Sequence, residues 1–280
     1  MINYSFVGSI YAKTKSTELY SALYSISQQS LPCSVVILYI DGDLSGDHYS
    51  VIDFFADLIP IKLIQGNSHT PRGLGLALRS AMQEVTSDYA LRFDADDISR
   101  STRAYKLINF FKDNPSAAVL GSQAHEFCSQ NCFSLMQKRE VPCQCDDIYK
   151  TGMYKNPLNH PTVALKMSSY NNSPGYQHGA FYEDYILWLN MLEKGLKICN
   201  LPDVLVYQNT DGMYSRRSGL RLMSGELTLL SAKLKAYKIT NPINKIYFKS
   251  TFLLRCMLRF LPSFALKIVY SIFLRSDFKF

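Results

Sequence analysis

The stretch "YALRFDADDIS", Tyr89 to Ser99, passes from an apolar alternation into three carboxylates, Asp94, Asp96 and Asp97, within four positions. Like charges this close repel and raise one another's pKa unless a cation or strong hydrogen bonds compensate them. Two chemistries answer that cost. In one, Asp97 or Ser99 caps a helix over Ser99–Asp113 and the other aspartates are solvated loop residues. In the other, the cluster holds a hard divalent cation such as Mg²⁺, which takes oxygen ligands and is usually shared with substrate phosphates. A second acidic point is "AFYEDYILWLNMLEKG", where Glu183 and Asp184 open a helix that Gly195 stops. Acids are favoured in a first helical turn by the macrodipole, so a structural reading of Asp184 stands beside a catalytic one. A third is "NPLNHPTV", in which Pro157 and Pro161 hold Asn159 and His160 on extended chain.

Stepwise alternation of strands and helices must position these groups. "YSFVGSIYA" reads as a strand, "STELYSALYSISQQ" as a helix with Leu19, Leu23 and Ile26 on one face, and "CSVVILYIDG" as a second strand. A third strand, Ile61–Ile64, leads through a Gly/Asn/Pro loop to the helix "RGLGLALRSAMQEV" and then to a fourth strand, Tyr89–Phe93. "AAVLGSQAHEF" reads as a strand pair. Apolar strands alternating with helices predict a mainly parallel sheet covered on both faces. Ligands of such sheets sit at the carboxyl ends of the strands. Tyr11, Asp41, Arg72 and Asp94 to Asp97 all fall there, so they are expected to line one crevice. Ile186, Leu187, Leu189, Met191, Leu192 and Trp188 are expected to be core on the helix that Glu183 opens.

The chain has 280 residues, 47% hydrophobic and 19% charged, which excludes disorder as the main state and is long enough for a large core. Its +7 net charge is concentrated at one end. From Pro242 onward Lys245, Lys249, Arg255, Arg259, Lys267, Arg275 and Lys279 stand against the single acid Asp277. The odd number of cysteines, seven, and the polar start "MINYSFVGS" argue for a reducing cytosol with free thiols. Cys128, Cys132, Cys143 and Cys145 are the alternative, a zinc site, but C-x3-C and C-x-C are unlike the usual C-x2-C knuckles.

The ordered series of Tyr11, "YIDGD", "PRGLGLAL", "RFDADDISRSTR", "NP…VLGS", "NPLNHPTV", "EDYILWLNMLEKG", "NLPDVLVY" and "MYSRRSG" resembles the family 2 glycosyltransferases of bacterial O-antigen, capsule and exopolysaccharide assembly. The resemblance runs from about Ser5 to Gly219. It implies an α/β GT-A fold over 1–241, with a nucleotide-sugar half to about 122 and an acceptor half from about 123, followed by a basic amphipathic tail, 242–280. It further implies that Tyr11, Asp41 and Arg72 contact the nucleotide, and that Asp94 and Asp96 are the DXD pair for Mn²⁺ or Mg²⁺, with Asp96 the metal ligand. Asp97 would contact the sugar or support the metal site, and Arg216 and Arg217 would approach the diphosphate. Asp184 would be the catalytic base, with Glu183, Asn159 and His160 on the acceptor. Pro71 and Arg79 depart from the family pattern, where asparagine is common.

The activity so implied is inverting transfer of a hexose or N-acetylhexosamine from a nucleotide-diphosphate sugar, a UDP-sugar by preference, to a polyprenyl-diphosphate-linked saccharide. A nucleotidyltransferase is the enzymatic competitor, but "GSIYAKTKS" is a poor triphosphate loop. An inactive polysaccharide-binding scaffold is the other, and the acids at 94, 96 and 184 argue against it. In the tail, Pro262 interrupts the apolar pattern and no run reaches the roughly 20 residues of a spanning helix. Basic amphipathic segments lying on the inner face of the cytoplasmic membrane fit better, with core-packing helices as the alternative. Basic residues alternating with aliphatics on a neutral core do not suit nucleic acid.

Overall fold

The computed structural model describes residues 3–128, 134–177, 181–211, 223–238 and 242–258. β1 (Tyr4–Ile10), β2 (Val35–Ile40), β3 (Ile61–Gln65) and β4 (Tyr89–Arg92) pair in parallel in the order β3-β2-β1-β4. They are linked by α1 (Ser16–Ser27), α2 (Gly46–Ala56) and α3 (Leu74–Gln83). After β4 come β5 (Ile98–Ser99), α4 (Arg103–Asp113), β6 (Ala117–Cys128) and β7 (Ser134–Arg139). The remaining elements are α5 (Cys145–Tyr154), β8 (Ala164–Lys166), α6 (Met167–Asn171), α7 (Glu183–Glu193), β9 (Lys197–Asn209), α8 (Met223–Ala236) and α9 (Pro242–Leu258).

The sheet continues from β4 through β8, β6 and β9 to β5, with β7 on β6. β8 runs antiparallel to both β4 and β6, while β6 and β9 are parallel. The expected mainly parallel sheet therefore exists as two parallel blocks joined by one short reversed strand. Leu19, Leu23 and Ile26 of α1 pack with α2 and α4 on one face. Leu78, Leu187, Trp188 and Met191 of α3 and α7 fill the other, and Trp188 is fully buried as expected.

Three elements differ from the sequence expectation. The helix expected over Ser99–Asp113 starts at Arg103, because Ser99 pairs with Val206 of β9 and its N–H donates to Ser25 Oγ at 3.0 Å. Asp97 is accordingly not a helix cap. The expected strand pair is one twelve-residue strand, β6, long enough to pair β8 with its first part and β7 with its last. The cysteine-bearing stretch carries α5, whose face buries only Ile148 and Gly152 and so gives little periodic signal.

Cys145 Sγ lies 3.2 Å from Cys199 Sγ, and Cys143 Sγ accepts from Gln123 Nε2 at 3.4 Å. Among the described residues no three His, Cys, Asp or Glu side chains converge on a metal position; Cys132 lies outside them.

Candidate active site

The ends of β1, β2 and β4 build one side of the site. Asp41, immediately after β2, is buried and accepts the N–H of Arg72 at 2.8 Å and of Gly73 at 2.9 Å, one on each oxygen. The carboxylate thereby pins the loop between β3 and α3 over the strand ends, and the Arg72 side chain is left exposed. Tyr11 follows β1, half-buried, and its carbonyl accepts the Thr14 N–H.

At the end of β4 the acids separate into distinct environments. Asp94, partly exposed, is ion-paired with the guanidinium of Arg92, the last residue of the strand. Asp96 is half-buried and lines a cleft of about 240 Å³ with Lys15, Thr17, Glu18, Ser21, Ile98 and Phe127. Asp97 turns inward, where its Oδ1 accepts the Asn209 N–H at 2.7 Å and its buried Oδ2 has no hydrogen-bond partner. Burial, reinforced by Asp94 and Asp96, pushes the Asp97 carboxyl well above the usual carboxylate range. Of the three, Asp94 and Asp96 remain partly accessible, and these two would hold a divalent cation. Two partly exposed carboxylates suit Mg²⁺ or Mn²⁺, which keep other positions for phosphate oxygens and water.

Arg92 had no role in the sequence reading. Alternation along β4 turns it to the same face as Ala90, towards α7. It is 3% exposed, and its Nε and Nη1 have no hydrogen-bond partner. Burial opposes the charge most strongly, but the charge and hydrogen bond of Asp94, with Tyr176 and Asp97, together outweigh it and keep the guanidinium ionised. Its positive potential reaches Asp97, Tyr176, His160, Glu183 and Asp184, so the field of one buried cation acts on both the strand-end acids and the helix-start acids.

The other side of the site is the start of α7. Asp184 Oδ1 accepts the N–H of Tyr185 at 2.7 Å, and Oδ2 accepts Nδ2 of Asn156 at 2.6 Å. Burial raises its pKa, while Tyr185, Asn156, Arg92 and Arg139 act in the opposite direction. Glu183 is pushed up to about 7 by burial and by Asp184. A Cβ added at Gly75 would stand 3.1 Å from Glu183 Cβ. The glycine in "RGLG" therefore permits α3 to approach α7 closely, bringing the nucleotide-half loop up to the two acids.

His160 and Asn159 have different surroundings. His160 Nε2 bonds the Tyr176 hydroxyl at 2.8 Å, and burial with the nearby Arg92 lowers its pKa well below the ordinary value, which makes it neutral at pH 7. Asn159 is fully buried, and its Nδ2 donates to the carbonyls of Ser122 and Arg139, both at 3.0 Å. Its side chain ties β6 to the end of β7 and is closed to an acceptor in this conformation. Arg216 and Arg217 lie outside the described residues. The groups that sequence reasoning missed are Arg92, Asn156 and Tyr176. An arginine at a core-facing strand position and an asparagine preceding proline were the available signals for the first two.

The chain is similar along nearly its whole length to known proteins. The chain is 30% identical over 269 residues to the amylovoran biosynthesis glycosyltransferase AmsE of Erwinia amylovora, covering 96% of this chain and 98% of that one. It is 30% identical over 261 residues to the Escherichia coli UDP-Gal:alpha-D-GlcNAc-diphosphoundecaprenol beta-1,3-galactosyltransferase, covering 93% and 92%. The fold matches S. aureus TarS 1–349, solved with UDP-GlcNAc, with a TM-score of 0.68 over 99% of this chain and 77% of that one, at 16% identity; this is the GT-A fold. With residues 10–174 matching the model of Glycosyl transferase family 2, the chain belongs to that family and is a glycosyltransferase.

Proposed function

We propose that the chain is an inverting hexosyl- or N-acetylhexosaminyltransferase of surface polysaccharide assembly, using a UDP-sugar and a polyprenyl-diphosphate-linked saccharide. The observation that carries the reading is the convergence of the strand-end acids and the Glu183–Asp184 helix start on the field of Arg92. The relatives' named activities, one of them on a diphosphoundecaprenol-linked sugar, support the choice of acceptor.

Asp94 and Asp96 would hold Mn²⁺ or Mg²⁺ together with the donor diphosphate. Bound there, the cation supplies Lewis-acid neutralisation of the charge that develops on the leaving diphosphate. Tyr11, Asp41 and the Arg72 loop form the nucleotide side, and Arg216 and Arg217 are assigned to the diphosphate. The acceptor hydroxyl oxygen bonds to the anomeric carbon as the bond to the diphosphate oxygen breaks, and the leaving group departs with that electron pair. Asp184 takes the hydroxyl proton on its carboxylate, a role that requires the ionised form, which Asn156, the Tyr185 N–H and Arg92 all favour. Glu183 hydrogen-bonds the acceptor sugar.

The tail is assigned to the inner membrane surface. α9 packs one side on α8, while Ile246, Leu253, Leu254 and Met257 are 58–68% exposed on the other, beside the exposed Lys249. Among the described residues no helix is long and apolar enough to cross a membrane. Such a stripe suits a helix lying in the headgroup layer. Arg255, in contrast, is turned inward onto Glu226.

The test is UDP release from UDP-glucose, UDP-galactose, UDP-GlcNAc and UDP-GalNAc with GlcNAc-diphosphoundecaprenol and Mn²⁺, followed by NMR of the new anomeric centre. Release with inversion is expected. No release from any donor, or a retained configuration, refutes the proposal.

A further inference from the structure

The residue preceding the two helix-start acids is held from outside the nucleotide half. Tyr182 has φ 68° and ψ 33°, a left-handed conformation uncommon for residues other than glycine. Its carbonyl accepts the Ile186 N–H at 2.9 Å, closing the first turn of α7. Its hydroxyl donates to Oε1 of Glu226 at 2.5 Å. Glu226 lies on α8, 1% exposed, and the same carboxylate accepts Nε of Arg255 at 2.6 Å and Nη2 at 3.2 Å. Arg255 belongs to α9, and its guanidinium carbon is 5.4 Å from the centre of the Tyr182 ring. A Cβ at Gly225 would stand 2.6 Å from Cβ of Phe181, so α8 meets the segment entering α7 at backbone distance.

We infer that Arg255 and Glu226 form a positioning relay that holds the Tyr182 turn and so fixes where Asp184 presents its carboxylate. The inference rests on the reading of Asp184 as the base. A buried carboxylate must be compensated by hydrogen bonds or opposite charge, and Arg255 on one helix and Tyr182 on another both contribute to compensating Glu226. Loosening either contact therefore loosens both. The turn between residues 181 and 185 leads directly from this junction to Asp184, beside the packing of α8 on Tyr185, Ile186 and Leu189, and its left-handed backbone is uncommon for a residue other than glycine. α9 has two roles on this reading: its outward face carries the apolar stripe, and its inward arginine steadies the turn that precedes the base.

The test uses the full chain with Tyr182→Phe, which removes only the hydroxyl, and Arg255→Met, together with the double variant. Hydrogen exchange reports the turn directly through the amides of Tyr185 and Ile186, whose partners are Asp184 and Tyr182. Both single variants should speed exchange at these amides by on the order of tenfold while peptides of β1 to β4 keep wild-type rates. The double variant should differ little from the worse single one, since contacts within one network are not additive. UDP release should fall by on the order of ten- to a hundredfold, as a small misplacement of a reacting group does, while UDP·Mn²⁺ binding by calorimetry stays within about twofold. Unchanged exchange at Tyr185 and Ile186 in both single variants overturns the relay. So does a loss of UDP·Mn²⁺ binding equal to the loss of turnover, which would mark general damage. If the wild type releases UDP from no donor, the enzymatic reading fails, and the exchange rates still decide the relay.

Discussion

Replacing Asn156 with alanine should move the acid limb of the pH–rate profile upward. The amide Nδ2 of Asn156 donates to Asp184 Oδ2 at 2.6 Å, the distance of a charge-assisted bond. Such bonds to an ionised group contribute about 1.5–3 kcal/mol. One pKa unit corresponds to about 1.4 kcal/mol, so losing the bond should raise the carboxyl by about one to two units. The sign follows from the role: the base works ionised, and the lost donor favoured the ionised form. Activity should therefore fall most at low pH and approach the wild-type rate as pH rises past the new pKa. Because Glu183 sits beside Asp184 and titrates near 7, the limb belongs to the pair and not to one residue. The assay is kcat for UDP release from pH 5 to 9 at saturating donor and acceptor. Asn156→Asp adds a like charge and should move the limb further up. An acid limb that stays in place or moves down in Asn156→Ala would refute the assignment of Asp184 as the ionised base.

Asp96→Ala should abolish the Mn²⁺ dependence of UDP binding measured by calorimetry, and wild-type turnover in excess chelator would contradict the metal assignment. Glu183→Gln should stabilise the protein at pH 8, by on the order of 1 kcal/mol after allowing for partial solvent screening. The folded pKa of Glu183 is raised from 4.5 to about 7, so its contribution to stability is present at pH values below 4.5 and is lost as pH rises through 7. The stability gap between variant and wild type, read from urea unfolding, should open across that interval and then stay level; a gap independent of pH would argue against a perturbed Glu183. Replacing Leu253 and Met257 with aspartate should weaken sedimentation with vesicles rich in anionic lipid without lowering UDP·Mn²⁺ affinity. Unaltered sedimentation would remove the α9 stripe from the membrane reading.

The parallel half of the fold was legible because β1, β2 and β4 are apolar runs separated by helices, with buried residues at three- and four-residue spacing in α1. The reversed strand β8 was not, because three residues carry no periodicity and their partners lie far away in sequence. Asp94, Asp96 and Asp184 stood out as charges at element boundaries. What distinguishes Asp97 from its neighbours depends on Asn209, 112 positions later, which no local pattern conveys. Asn159 and His160 drew attention as polar residues between prolines, yet their surroundings are set by Ser122, Arg139 and Tyr176 across the fold. Arg92 was visible and unassigned: a charge at an inward strand position is legible only once the acids from α7 are known to lie over it.

The reversed strand β8 also sets the order in which the molecule can be completed during synthesis. Before residues 164–166 emerge, β4 is paired only with β1 and offers an open edge to other chains. The Arg92 N–H lacks the Val163 carbonyl it bonds in the finished protein. Translation at 5–20 residues per second leaves that edge uncovered for roughly 4–15 s after Arg92 is made. The guanidinium of Arg92 is an interior charge only in the finished protein: until residues 183–193 are made it stands on an uncovered strand, and a charge flanking an apolar strand is a general means by which sequences limit mispairing.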